Sequence, residues 1–158
     1  MLRFWDRARK YFRSPGDVAL FLRILGLALI LPLLQRTMSM PGLLRLLTPR
    51  AVPPADADAR ASRQAKVALF IDGILGRNVW PLCGTCLTRA LLRYRFLRHA
   101  GLEVRFCLGV RAAGPTGGDG RNRDLQGHAW LLRDGQPILE YDEAATRTFV
   151  VTYCYPPQ

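Results

Sequence analysis

The run Cys86-Leu-Thr-Arg-Ala-Leu-Leu-Arg-Tyr-Arg-Phe-Leu-Arg-His-Ala-Gly101 decides how the rest of the chain is read. It carries the helical period from Cys86 to His99 and stops at Gly101. Its first residue is a cysteine, the one common side chain that is already a good nucleophile near neutral pH. Free backbone N–H groups and the helix dipole favour a thiolate placed at such a start. Further on, Gly127-His128-Ala-Trp130 lies in a strand-like run. A histidine brought beside the thiol can hold the ion pair and then deliver a proton to a leaving amine. The chain has two histidines. His99 sits at the end of the cysteine helix, where a cation favours the dipole, and reads as structural. His128 is the candidate base.

On the N-terminal side the pattern is helical. Residues 1–15 are basic and aromatic, and Ser14-Pro15-Gly16-Asp17 supplies a helix start that Ser14 or Asp17 can cap. Val18 to Leu34 is strongly apolar, interrupted by Arg23 and expected to end near Pro32. Its uncharged stretch, Ile24 to Leu34, falls short of the ~20 residues that span a bilayer. The length favours a buried core helix, with a membrane-surface helix flanked by arginines as the rival. Met38–Leu47 reads as a short helical piece and residues 48–58 as a Pro/Ala-rich linker. Arg60–Leu75 reads as an amphipathic helix, with Val67, Phe70, Ile71 and Ile74 at helical spacing and Gly76 at its end. Asn78 to Thr85 is the loop that leads to Cys86.

After Gly101 the period changes. Glu103–Val110 is a strand, Ala112–Asp124 a Gly-rich charged loop, and Gly127–Arg133 the second strand. Asp134-Gly135 is a hairpin turn signal, Gln136–Tyr141 the third strand and Thr148–Tyr155 the fourth. Helices followed by an antiparallel sheet make an α+β fold, divided here into an N-terminal helical segment and linker, 1–58, and a core, 59–158. Leu91, Leu92, Leu97, Val104, Phe106 and Trp130 are the expected core.

The 158 residues suit one domain, or a domain with an appendage, and 49% are hydrophobic. The net charge of +11 is carried almost wholly by arginine, since Lys10 and Lys66 are the only lysines. A solvated basic surface is the plain reading; an acidic peptide or an anionic membrane face is the functional one. The arginines are spread along the chain and no zinc-finger, homeodomain or RNA-recognition signature is present, so nucleic acid is not expected as a partner. No cleavable signal peptide is evident, and a reducing cytoplasm with free thiols is the default. Cys83-Gly-Thr-Cys86 is a CxxC, but zinc would need two more ligands, and Cys107, Cys154 and His128 form no second closely spaced pair. A thioredoxin-like reading needs a strand before the CxxC, where a Trp-Pro loop stands. The Gly-rich loop lacks a Walker pattern. No metal and no cofactor is expected.

Taken in order, Cys86-Leu-Thr-Arg-Ala-Leu, Leu97-Arg-His-Ala-Gly101, Arg105-Phe-Cys-Leu-Gly-Val-Arg111, Gly127-His-Ala-Trp-Leu131 and Asp134-Gly135 resemble the B-type leader peptidase of lasso peptide biosynthesis. That family is a branch of the transglutaminase-like superfamily of papain-like cysteine proteases. The close match covers roughly residues 80–142. The resemblance implies a Cys-His-Asp protease that removes the leader from a ribosomally made precursor, after which a separate cyclase closes the macrolactam. It further implies a separate leader-recognition protein of winged-helix type, because residues 1–58 lack the strand pattern that such a domain needs.

By that resemblance Cys86 is the nucleophile, Cys83 an accessory thiol and His128 the base. The family places an aspartate on the strand after the Asp-Gly hairpin; alignment puts Glu140 there, with Asp142 two residues on as the reserve. The backbone N–H of Cys86 is the first oxyanion donor. Trp80 stands where papain-like enzymes carry a glutamine, and its indole N–H either donates or packs. Arg89, one turn into the helix, grips a substrate carboxylate, supports the sheet or is a surface arginine. Arg89, Trp80 and Trp130 are the candidate substrate-binding residues. Two rivals stand beside the protease: an acyl-transfer enzyme, a transglutaminase or amidase, with the same residues, and a non-catalytic membrane-associated binding scaffold.

Overall fold

The computed structural model describes residues 12, 14–50, 56–76, 85–112, 125–140 and 142–157. Trp80, Cys83, residues 51–55 of the Pro/Ala-rich linker, the Gly-rich loop at 113–124 and the basic N-terminal residues 1–11 lie outside the described residues. Four helices come first: α1 (Pro15–Thr37), α2 (Met40–Leu47), α3 (Ala57–Leu75) and α4 (Cys86–His99). The sheet strands β1 (Arg105–Ala112), β2 (Leu125–Arg133), β3 (Gln136–Ile138) and β4 (Val150–Tyr155) come after them, with the short helix α5 (Glu143–Thr146) between the last two. The sheet is antiparallel in the order β3-β2-β1-β4. The expected α+β architecture is therefore present.

Helix α1 starts at a capping box. The Asp17 N–H donates to Ser14 Oγ at 3.3 Å, and the Ser14 N–H donates to Asp17 Oδ2 at 3.1 Å. Asp17 is buried and also accepts from Lys66 Nζ at 2.7 Å, which ties the start of α1 to α3. Phe12, Phe21 and Phe70 add a three-ring contact, with centroids 5.4 to 5.7 Å apart. Unlike the expected end near Pro32, α1 runs on to Thr37. Pro32 removes one i→i−4 bond, but Leu31 and Leu34 beside it pack on the core and carry the helix through.

The reading of α1 as a buried core helix holds for one stripe only. Ile24, Ala28 and Leu31 are buried, while Val18, Leu22, Leu29, Ile30 and Leu33 face outward. The helix is long and apolar enough to cross a membrane by length and composition, and 22% of its most apolar window is buried in the domain.

Helix α4 is buried on nearly every side, with Leu91, Leu92, Tyr94 and Leu97 inaccessible. Gly101, at φ +85°, ends it: the Leu102 N–H donates to Leu97 O and the Gly101 N–H to Arg98 O, closing the last turn. The Tyr94 hydroxyl donates to Thr48 Oγ1 at 2.8 Å, because the Thr48 hydroxyl is itself donated to Leu44 O at 2.7 Å. Burial pushes the Tyr94 phenol above its ordinary value of 10.0.

His99, the last residue of α4, does not serve as the cation that the helix dipole favours. Burial first, then the guanidiniums of Arg95, Arg23 and Arg63, hold its pKa below the ordinary 6.5. Its Nδ1 has no hydrogen-bond partner among the described residues.

In the sheet, Asp134 and Gly135 at φ +51° and +77° form the expected two-residue hairpin turn. The third strand is shorter than expected: β3 stops at Ile138, because Leu139 adopts the left-handed φ of +58°. Cys107 and Cys154 are register partners across β1 and β4 and form a disulfide. The expectation of free thiols is thereby corrected for this pair: adjacent antiparallel strands bring the two β-carbons together, which a sequence separation of 47 conceals. Gly109 sits where β1 changes register with β4. A β-carbon there would meet Trp130 Cη2 at 2.6 Å and Val150 O at 2.7 Å.

This packing has two measurable consequences. Gly109→Ala destabilises the domain by about 2 kcal/mol in urea unfolding, since a backbone carbonyl and a buried indole must both give way. Thermal stability is full above pH 6.5 and falls as pH drops below that value towards the lower folded pKa of His99, because the unfolded chain takes up the proton first. His99→Gln flattens this part of the Tm–pH curve, as differential scanning fluorimetry from about pH 7.5 to 5 would record.

Candidate active site

Thr85 sets the position of the nucleophile. It is the N-cap of α4: its hydroxyl oxygen accepts the Thr88 N–H at 3.1 Å and its hydroxyl hydrogen goes to Thr88 Oγ1 at 3.0 Å. Cys86 is therefore the first residue of the helix, half-buried, and the one unpaired thiol among the described cysteines. First-turn N–H groups have no intrahelical acceptor, so the helix start offers donors and a positive dipole end at the sulfur.

The opposite wall comes from β2 and the segment after β3. β3 pairs with β2 only at Leu131–Arg133, which leaves the edge of β2 from Leu125 to Trp130 open on that side. A cavity of about 250 Å³ lies there, lined by Cys86, Arg89, Ala90, Arg93, His128, Glu140 and Phe149 among others. His128 Nε2 and Glu140 Oε2 are 3.0 Å apart, with both side chains mostly buried. With Glu140 ionised, Nε2 carries the proton and donates it, which leaves Nδ1 as the acceptor nitrogen. The His128 ring also packs beside Trp130, at 5.8 Å, and Phe149, at 5.1 Å between centroids. Arg111 lies over the Phe149 ring, with its guanidinium carbon 4.5 Å from the centroid, and donates to Gln126 Oε1 and Thr148 Oγ1.

The two acidic candidates take different places. Glu140 meets His128. Asp142 lines the cavity, but its carboxylate caps α5: Oδ1 accepts the Ala145 N–H at 2.8 Å. The strand that would have put Asp142 on the same face as Glu140 has already ended at Ile138. Arg89 is on the cavity wall, with Nε 3.4 Å from Asp72 Oδ1. Trp130 is 3% exposed and packs against His128, Phe149 and Gly109, so little of it is left for a ligand. Trp80 and Cys83 lie outside the described residues. One buried partner is missing from the sequence reading: Arg93, two turns beyond Cys86, pairs with Asp72 and with the backbone of Leu139. The available signal was a charge on the face of α4 that Ala90 and Leu97 otherwise make apolar.

Among the described residues no three His, Cys, Asp or Glu side chains converge as a metal would need. The disulfide also removes Cys107 and Cys154 from the ligands that a zinc reading of the CxxC would draw on.

The family model described as the transglutaminase-like superfamily matches residues 21–154, from within α1 to the penultimate residue of β4. No curated protein and no solved structure matches the chain.

The hydrogen bond between His128 and Glu140 has a direct signature. A carboxylate-held imidazole N–H gives a far-downfield, exchange-protected proton resonance. That resonance disappears in Glu140→Ala and persists in Asp142→Asn. With only two histidines, His99→Gln completes its assignment.

Proposed function

The chain belongs to the transglutaminase-like superfamily, and within it we propose that this protein is a cysteine peptidase that cleaves the leader from a ribosomally made lasso precursor peptide. The observation that carries the reading is the 3.0 Å contact of His128 with Glu140 on the wall of the cavity that Cys86 also lines. The lasso assignment draws its support from the order of short motifs. Cys86 to Arg89 opens α4, Leu108 to Arg111 lies on β1 and His128 to Trp130 on β2, and each of these three segments contributes to the cavity lining, while Asp134-Gly135 forms the hairpin turn that follows β2.

In the proposed reaction His128 Nδ1 takes the proton of the Cys86 thiol, the thiolate attacks the scissile carbonyl carbon, and the carbonyl electrons move to oxygen. The backbone N–H of Cys86, without an intrahelical acceptor, faces that developing charge. The tetrahedral intermediate collapses, the C–N bond breaks, and the leaving amine takes the proton from His128 Nδ1. The leader is left as a thioester on Cys86. His128 then removes a proton from water, hydroxide attacks the thioester, and thiolate departs. Net, one peptide bond and one water give a leader carboxylate and a core peptide with a free N-terminus. Glu140 holds the ring orientation and stabilises the imidazolium throughout.

The freed core passes to a separate ATP-dependent cyclase, and a separate winged-helix recognition protein delivers the leader. The outward apolar stripe of α1, with Arg23 within its span and Arg36 beyond its C-terminal end, supports a peripheral membrane contact as part of the same proposal.

The test is to mix the purified chain with precursor and recognition protein and follow products by mass spectrometry. Cleavage occurs at one leader–core junction. Cys86→Ala lowers kcat at least about 1,000-fold, Glu140→Ala about 100- to 10,000-fold, and Asp142→Asn only a few-fold. A conjugate formed with an added amine would reassign the chain to acyl transfer, since the same thioester would be resolved by an amine instead of water. Absence of both products from a folded protein would leave the binding-scaffold reading.

A further inference from the structure

Glu140 reaches His128 from an unusual piece of backbone. The residue before it, Leu139, has φ +58°, a conformation that costs a non-glycine residue about 1–2 kcal/mol. This turn ends β3 and redirects the chain, so that Glu140 leaves the strand and faces His128. A strained peptide unit persists where its surroundings hold it. Here the Leu139 carbonyl accepts a hydrogen bond from Arg93 Nη1.

Arg93 is itself fixed. It is 3% exposed, and its Nη2 donates to both oxygens of Asp72 on α3, at 2.9 and 3.1 Å. A buried guanidinium costs several kcal/mol in lost hydration unless it is paired, and a planar fork can satisfy a carboxylate and a carbonyl at once in a way that an ammonium cannot. Seven residues separate Cys86 from Arg93, which is nearly two full turns, so both lie on the same face of α4 about 10 Å apart along its axis.

We propose that Arg93, locked by Asp72, is a positioning residue that holds the Leu139 turn and thereby sets Glu140 against His128. One rigid helix then carries the nucleophile at its first residue and, two turns on, the group that places the acid of the same site. This rests on the reading of Cys86, His128 and Glu140 as the catalytic set.

Arg93→Met alone strands the Asp72 charge and can fail to fold, so the primary variant is the charge-balanced Asp72→Asn/Arg93→Met. Arg93→Lys, which keeps the ion pair but not the fork, is the second. The first readout needs no substrate. In both variants, with circular dichroism unchanged, the downfield His128 Nε2–H resonance broadens or disappears, as it does in Glu140→Ala. The second readout is precursor cleavage, in which kcat falls about 10- to 100-fold with KM little changed, the effect of a misplaced group rather than of lost binding. A folded double variant that keeps the resonance overturns the proposal, whatever the protein cleaves. Loss of the resonance in a protein whose wild type cleaves no precursor leaves the positioning role in place and removes the peptidase reading alone. Full kcat in a folded Arg93→Lys also overturns the proposal.

Discussion

Helix α4 is enclosed by the other helices and the sheet, and this enclosure constrains everything around it. A helix with one wet face can send its polar side chains to solvent. This one keeps Arg89, Arg95, Arg98 and His99 at partly exposed positions, and the polar side chains that it buries, Thr88, Arg93 and Tyr94, each find a partner within reach. Thr88 is bonded to its own N-cap, Tyr94 to the end of α2, and Arg93 to α3 and to the segment after β3. The last two tie α4 to distant parts of the chain, and the first fixes its starting residue. The site is built at the junction of those ties, which explains why a thiol at the first residue of a buried helix has a fixed relation to a carboxylate 54 residues further on.

The ends of elements are legible in the sequence because their signals are local. Thr85 before Cys86, Gly101 after His99, and Asp134-Gly135 each state a backbone requirement that neighbouring residues satisfy: a hydroxyl cap, a left-handed glycine, a two-residue reversal. The alternation of Glu103–Val110 is legible in part, whereas β2 buries Ala129, Trp130 and Leu131 in succession. Counting from His128 and Gly135 reaches Glu140, whose carboxylate stands 3.0 Å from His128 Nε2. The same counting fails one step later, at the end of β3. Propensity alone extends that strand to Tyr141, whereas the structure breaks it at Leu139, and nothing about a leucine announces a positive φ.

The remaining differences are long-range. The Asp72–Arg93 pair joins residues 21 apart, the Lys66–Asp17 pair residues 49 apart, and the disulfide residues 47 apart. None of these is implied by spacing; each exists because the fold has already brought two elements together. His99 shows the same limit in its charge. The helix dipole, a local effect, favours a cation there, and burial with three arginines outweighs it. Helix α1 shows it in its length, since Pro32 reads as a terminator and packing on both sides of it carries the helix on to Thr37.

On the proposed peptidase reading, the left-handed turn at Leu139 also accounts for a glutamate where the family that the sequence resembles carries an aspartate. An aspartate carboxylate stands one carbon–carbon bond, about 1.5 Å, closer to its backbone. With the strand ended at Ile138 and the chain turned away, the Glu140 side chain already spans to 3.0 Å from Nε2. Shortening it by one methylene on the same backbone would take the oxygen beyond hydrogen-bond range. The acid and the turn are therefore matched. A strand that continued through residue 139 would present a different reach, and the longer side chain suits the backbone that Arg93 holds in place. Position 140 is in this sense read jointly with position 93, and neither residue alone states what the site requires of it.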